Sequence, residues 1–148
     1  MTATTTAATA QGGSQWAQTG PLAFNHPLTT TAERITEVPE LTINFPGVWE
    51  LTYHVRTTFR SGNQKALWIH TWLEKDGVPI EGSEATHGRQ GPDSESVQDT
   101  VGQTVLVALQ VGESLTLHGR YSGEGNASII SNDGGRTSVV AHWVTPGF

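Results

Sequence analysis

Between residues 49 and 59 the chain alternates without a break. Trp49, Leu51, Tyr53, Val55, Thr57 and Phe59 take one parity; Glu50, Thr52, His54, Arg56 and Thr58 take the other. Successive side chains of an extended strand point to opposite faces, so this pattern specifies a long strand with one face in a core. Pro46-Gly47 opens it as a turn. No window shows helical periodicity for more than two turns.

The remainder reads the same way. Residues 66–75 form a second strand, with Leu67, Ile69 and Leu73 on one parity and Trp68, His70 and Trp72 on the other; Asp76-Gly77 closes it. Apolar residues on both parities predict protein cover on both faces. Residues 81–96, with Gly82, Gly88, Gly91 and Pro92, read as a polar loop. A long strand follows over 97–111, then a Val111-Gly112-Glu113 turn and a strand over 114–121 with Leu115 and Leu117 inward. Residues 122–126 read as a flexible loop, 127–131 as a short strand, Asn132-Asp133-Gly134-Gly135 as a hairpin turn, and 137–144 as the last strand. Short strands with turns every 8 to 12 residues predict an all-β sandwich.

The chain has 148 residues, enough for one domain that buries roughly two thirds of its unfolded surface. It has no cysteine, which excludes disulfides and thiolate metal sites. A net charge of −6 with only 8 lysines and arginines leaves no cationic footprint for nucleic acid. No apolar run approaches the roughly 18 residues of a membrane span. Residues 1–10, mostly Thr and Ala, lack the basic and apolar regions of a signal peptide, so the product is expected to stay in the cell that makes it unless it leaves within a particle or by lysis. Residues 1–20 are low in complexity and read as an N-terminal arm, flexible or ordered on a partner, ahead of a domain at 21–148. Thr4, Thr5, Thr6, Gln11, Gln15 and Trp16 are its candidate partner contacts, Trp16 being the large apolar anchor and the candidate start of the folded part.

No catalytic constellation is visible. The chain lacks a Gly-x-Ser-x-Gly elbow and a Gly-x-x-x-x-Gly-Lys phosphate loop. Glu81 and Glu84, like Asp93 and Glu95, fall in a loop and read as solvated, and the sequon Asn126-Ala127-Ser128 reads as incidental. Neither an enzyme nor a cofactor site is expected. The 6 histidines show no metal-binding spacing. His54 has the parity opposite Trp49, Leu51 and Tyr53, His118 the parity opposite Leu115 and Leu117, and His142 alternates with Ala141 and Trp143, so these histidines face away from the core. Trp68, His70 and Trp72 share one strand face. They form either a sugar platform or protein hot spot, or a surface covered by N-terminal strands or a neighbouring subunit.

Three segments carry a family resemblance: Phe-Pro-Gly-Val-Trp-Glu-Leu-Thr-Tyr-His-Val at 45–55, Trp-Leu-Glu-Lys-Asp-Gly-Val-Pro-Ile at 72–80, and Thr-Val-Leu-Val-Ala-Leu-Gln-Val-Gly-Glu-Ser-Leu-Thr-Leu at 104–117. In order and spacing they resemble the tumour necrosis factor and complement globular-head jelly roll, with Asp76 where Asn is usual and Glu113 where Asp is usual. The last strand lacks that family's phenylalanine-rich ending. The resemblance implies a two-sheet jelly roll assembled as a homotrimer, whose inner sheet, at 48–59, 113–121 and 137–144, faces the threefold axis. It then implies a subunit interface of Thr52, His54, Arg56, His118, Val140, His142 and Val144. Histidines lining an axis would place like charges together on protonation and loosen the trimer below about pH 6; the alternative is three unrelated surface histidines.

Jelly rolls of this kind also occur on bacteriophage particles. A short chain without a signal, with a Thr/Ala arm ahead of a compact module, is similar to capsid decoration proteins, in which a trimer sits on the shell and its arm grips it. That similarity implies the major capsid protein as partner and the virion exterior as location. The competing expectation is a receptor- or glycan-binding module of a phage fibre or tail, using Trp68, Trp72 or the loops. A third is a bacterial tumour-necrosis-factor-like module of unknown ligand.

Overall fold

The computed structural model describes residues 4–5, 8–9 and 15–146. Among these, every regular element is a strand: β1 (Thr4–Thr5), β2 (Ala8–Thr9), β3 (Gln15–Gln18), β4 (Phe24–Pro27), β5 (Glu33–Arg34), β6 (Glu40–Thr42), β7 (Gly47–Ser61), β8 (Lys65–Lys75), β9 (Val78–Pro79), β10 (Ala85–Gly91), β11 (Val97–Leu109), β12 (Ser114–Gly123), β13 (Gly125–Ser131) and β14 (Ser138–Thr145). One sheet runs β1-β6-β12-β8-β10, with β5 also on β12 and β9 on β8; the other runs β2-β3-β14-β7-β13-β4, with β11 also on β7. The pairings are antiparallel except β1 with β6. The two-sheet jelly-roll sandwich expected from the sequence is therefore present.

β7 is the axis of its sheet. β11 pairs with it from Gly47 to Phe59, while β14 and then β13 share its other edge. Its alternation holds: Trp49, Leu51, Tyr53, Val55, Thr57 and Phe59 are all buried. Leu67, Ile69 and Leu73 of β8, with Leu115 and Leu117 of β12, bury against them from the facing sheet. Each such side chain removed from water stabilises the sandwich by about 1.5–3 kcal/mol. Trp49 also donates its indole N–H to the Phe45 carbonyl at 2.9 Å, so the largest core residue carries no unpaired polar atom.

Four expectations need correction. Residues 113–121 do not lie beside 48–59: β12 is in the opposite sheet, paired with β8. Leu115 and Leu117 point inward from either sheet, so parity could not choose between them. The choice is made at the end of β8, where Asp76 accepts from the Ser114 amide at 2.9 Å and the Asp76 amide donates to the Ser114 carbonyl at 3.0 Å. Second, the supposed loop 81–96 contains β10, which pairs along an edge of β8 through backbone bonds and turns His87 toward Thr57 and Phe59 of the other sheet. Third, 122–126 is a corner and not a flexible loop. β12 and β13 are separated by Glu124 alone, and the chain crosses there between the sheets. Gly123 and Gly125 have φ of +90° and +137°, and a Cβ on either would run into a carbonyl oxygen, Ala66 and Arg60 respectively. Fourth, the end of the low-complexity segment is folded. β3 pairs with β14, Ala17 is buried, and Thr19 exchanges two hydrogen bonds with the Val139 backbone at 3.0 Å each.

Candidate functional site

Two outward sheet faces gather the sequence-predicted residues. The first belongs to β3, β14, β7 and β11. Across it the register aligns Trp16, His142, Glu50 and Leu106 in one row, Gln18, Val140, Thr52 and Thr104 in the next, and Ser138, His54 and Gly102 in a third. Thr52 and Thr104 hydroxyls meet at 2.9 Å, and Arg56 donates to Thr100 and Gln98 of β11 at 3.3 and 2.9 Å. Leu106 is 65% exposed, and Val144, reached past a bulge between Trp143 and Thr145, is 46% exposed. Thr52, His54, Arg56, Val140 and His142 thus share this face, and Val144 is exposed in the bulge at its margin. His118 does not: it sits on the opposite sheet because β12 does.

The second face belongs to β10, β8 and β12. Trp68, His70 and Trp72 occur at alternate positions of β8, opposite Ser122, Arg120 and His118 of β12. Protein covers only part of this face, since Trp68 is 47% exposed. The Trp68 indole lies over Gly88 of β10, where a Cβ would meet the ring. Trp72 is held on two sides. Its N–H donates to Glu74 at 2.8 Å, and its ring stacks on His118 with centroids 6.1 Å apart and planes 19° from parallel. His118 in turn lies 2.8 Å from the Thr116 hydroxyl and 3.4 Å from a Glu74 carboxylate oxygen. Burial holds the His118 imidazole below the usual histidine range; Glu74 opposes this and Arg34 reinforces it. His70 contacts Ser122 at 3.0 Å through one ring nitrogen and Glu84 at 3.3 Å through the other.

Beside this array lies an open depression of about 430 Å³, bounded by Trp72, Arg120, Glu81, Glu84, Ile80 and Ala32 among others. The sequence pointed to Trp68, His70 and Trp72 but not to Arg120 or the two glutamates. Arg120 has the parity of His118 on the same strand, which was a legible signal. The acids come from the segment after β9 and reach Trp72 only through the fold.

Of the arm residues, Thr4 and Thr5 align with Glu40 and Leu41 of β6, while Gln15 and Trp16 belong to β3. Thr6 and Gln11 lie outside the described residues. Gln15 is buried and Trp16 half-buried. Among the described residues no group of three His, Asp or Glu side chains is arranged to hold a metal ion, and no helix is long and apolar enough to cross a membrane.

No family model matches the chain, and no curated protein does. Among solved structures it is similar to the Eiger TNF from S. frugiperda, at 13% identity and a TM-score of 0.45, over 86% of this chain and 94% of that one. The assignment to a two-sheet jelly roll stands on the strand pairings themselves.

Proposed function

We propose that this protein is a non-catalytic, self-assembling structural module: a homotrimer that decorates the outside of a bacteriophage capsid and grips the shell through its N-terminal arm. The observation that carries the reading is the outward face of β3, β14, β7 and β11. It exposes Leu106, with Val144 exposed at its bulged margin, and carries Trp16, Val140, Thr52 and Thr104 on neighbouring strands. Its formal charges among the described residues are Glu50, opposite Leu106, and Arg56 and Arg60 of β7, while Asp99 of β11 has the other parity. A face with few formal charges and exposed aliphatic residues supports a subunit interface, whose buried core is depleted of charge. An obligate assembly of this kind would bury upward of roughly 2,000 Å² per interface. The shell-binding part of the reading rests on the low-complexity arm, whose backbone pairs at the margins of both sheets through β1 on β6 and β2 on β3.

Size-exclusion chromatography with light scattering tests the assembly. The expected result is a trimer that Leu106→Glu converts to monomer with an unchanged circular dichroism spectrum. A wild-type chain that runs as a monodisperse monomer overturns the reading. Removal of residues 1–14 tests the arm: the trimer is expected to persist while co-sedimentation with shells of the major capsid protein disappears. Retained co-sedimentation would refute the arm's role.

A further inference from the structure

The second face carries chemistry that self-assembly does not use. We propose that the depression beside Trp72 and the adjoining face of β8 bind a neutral oligosaccharide, with one pyranose ring on the Trp72 indole and a later one on Trp68.

Trp72 is a fixed platform. The His118 stack and the bond to Glu74 set its ring plane, so no rotamer freedom is lost when a ligand arrives. Trp68 is fixed differently, laid over Gly88 where no side chain intervenes, and it leaves nearly half its surface to solvent. The two indoles sit on the same parity of one strand, four residues apart, a separation of roughly 13 Å by strand rise. Platforms so placed suit an extended chain of rings better than a single compact ligand. His70 lies between them, with polar contacts on both sides.

The polar rim selects the ligand's charge. Among the described residues the guanidinium of Arg120 and the carboxylate of Glu81 have no hydrogen-bond or ion-pair partner, although both bound the same depression with Glu84. An anionic ligand would meet Glu81 and Glu84, and a cationic one would meet Arg120. Hydroxyl groups donate to carboxylates and accept from guanidinium, so a neutral polyol satisfies both kinds of group. Flat, partly exposed indoles add apolar contact with the C–H face of a sugar ring. The volume of about 430 Å³ lies within the range of small-molecule sites. The face is on the sheet opposite the proposed subunit interface, so occupancy and assembly can fail independently.

The test is calorimetric titration, with tryptophan fluorescence, of the full chain. The neutral probes are hexamers of β-1,4-linked glucose, of β-1,4-linked N-acetylglucosamine and of α-1,4-linked glucose. Sialyllactose and a chitosan hexamer serve as anionic and cationic controls. At least one neutral hexamer is expected to bind and to change the tryptophan signal, with weaker binding of both charged controls. Trp72→Ala and Arg120→Ala should each weaken that binding by about tenfold or more. Trp68→Ala should weaken binding of that hexamer but not of the disaccharide of the same linkage. Trp72→Phe, which keeps an aromatic ring at the site, should retain part of the affinity and guards against misfolding of the alanine variant. The proposal falls if no neutral hexamer binds at about 10 mM, ten times a Kd of ~1 mM. It also falls if a charged control binds more tightly, or if folded Arg120→Ala binds like wild type.

Discussion

The Tyr53 hydroxyl donates to the Thr71 carbonyl at 3.0 Å, joining the middle strand of one sheet to β8 of the other through the core. The same oxygen also meets the Thr71 hydroxyl at 3.3 Å and the Ser83 carbonyl. Burial pushes the phenol from its ordinary 10.0 to about 12, partly offset by the Thr71 hydrogen bond. Tyr53→Phe keeps the ring and loses these bonds, so urea unfolding should show a loss of about 1–3 kcal/mol. An unchanged midpoint would contradict the role. The raised value also sets an alkaline limit. Above pH 10.0 the unfolded chain gives up this proton while the folded chain holds it to about 12, so stability should decline across that window in wild type and less so in Tyr53→Phe.

A second contact between the sheets sets an acid limit. His87 Nε2 lies 2.9 Å from the Thr57 hydroxyl, its ring meets Phe59 edge-on at 5.3 Å, and Nδ1 is buried without a partner. Burial lowers the imidazole below 6.5, with Asp99 opposing. A base whose folded value is depressed leaves stability intact above its unfolded value, because both states are then neutral. Stability is lost as pH falls below about 6.5, where only the unfolded chain takes the proton. His118 shifts in the same direction and adds to the effect. Thermal midpoints measured from pH 8 to 5 should fall, and His87→Asn should flatten the curve. Identical slopes in the two proteins would assign the acid sensitivity elsewhere.

Glycines 77 and 123 separate backbone strain from crowding. Their φ values are close, +84° and +90°, yet a Cβ at position 77 meets nothing within 4 Å while one at 123 strikes the Ala66 carbonyl. Gly77→Ala should cost about 1 kcal/mol from φ alone. Gly123→Ala must also move β8 or the corner between the sheets, and should cost about 3 kcal/mol. Equal losses in chemical denaturation would mean that the corner yields freely.

Leucines 51 and 106 compare a core position with a surface one. Leu51 is fully buried between the sheets and Leu106 is 65% exposed on β11. Leu51→Ala should lose about 2–5 kcal/mol through the cavity it leaves. Leu106→Ala should stay within about 0.5 kcal/mol for the isolated subunit and act instead on its assembly. Denaturation at low protein concentration, with light scattering at high concentration, distinguishes the two. A large loss for Leu106→Ala in dispersed subunits would place it in the core.

Alternation told which side of each strand is buried. Trp49 through Phe59 point inward, His54 and His142 outward, and Trp68, His70 and Trp72 share a face, because side-chain direction is a local property of extended backbone. Turn chemistry was equally local, and Asn132 and Gly135 close their hairpin with two backbone bonds as the residues demand. Which strands become neighbours is a different matter. Leu115 and Leu117 satisfy a core from either sheet, and β10 carries so little apolar signal that only its pairing with β8 reveals it. Arg120, Glu81 and Glu84 come to surround Trp72 for the same reason. Pairing depends on hydrogen-bond partners far apart along the chain, so it was decided by the packed sheets and not by any stretch of residues read alone.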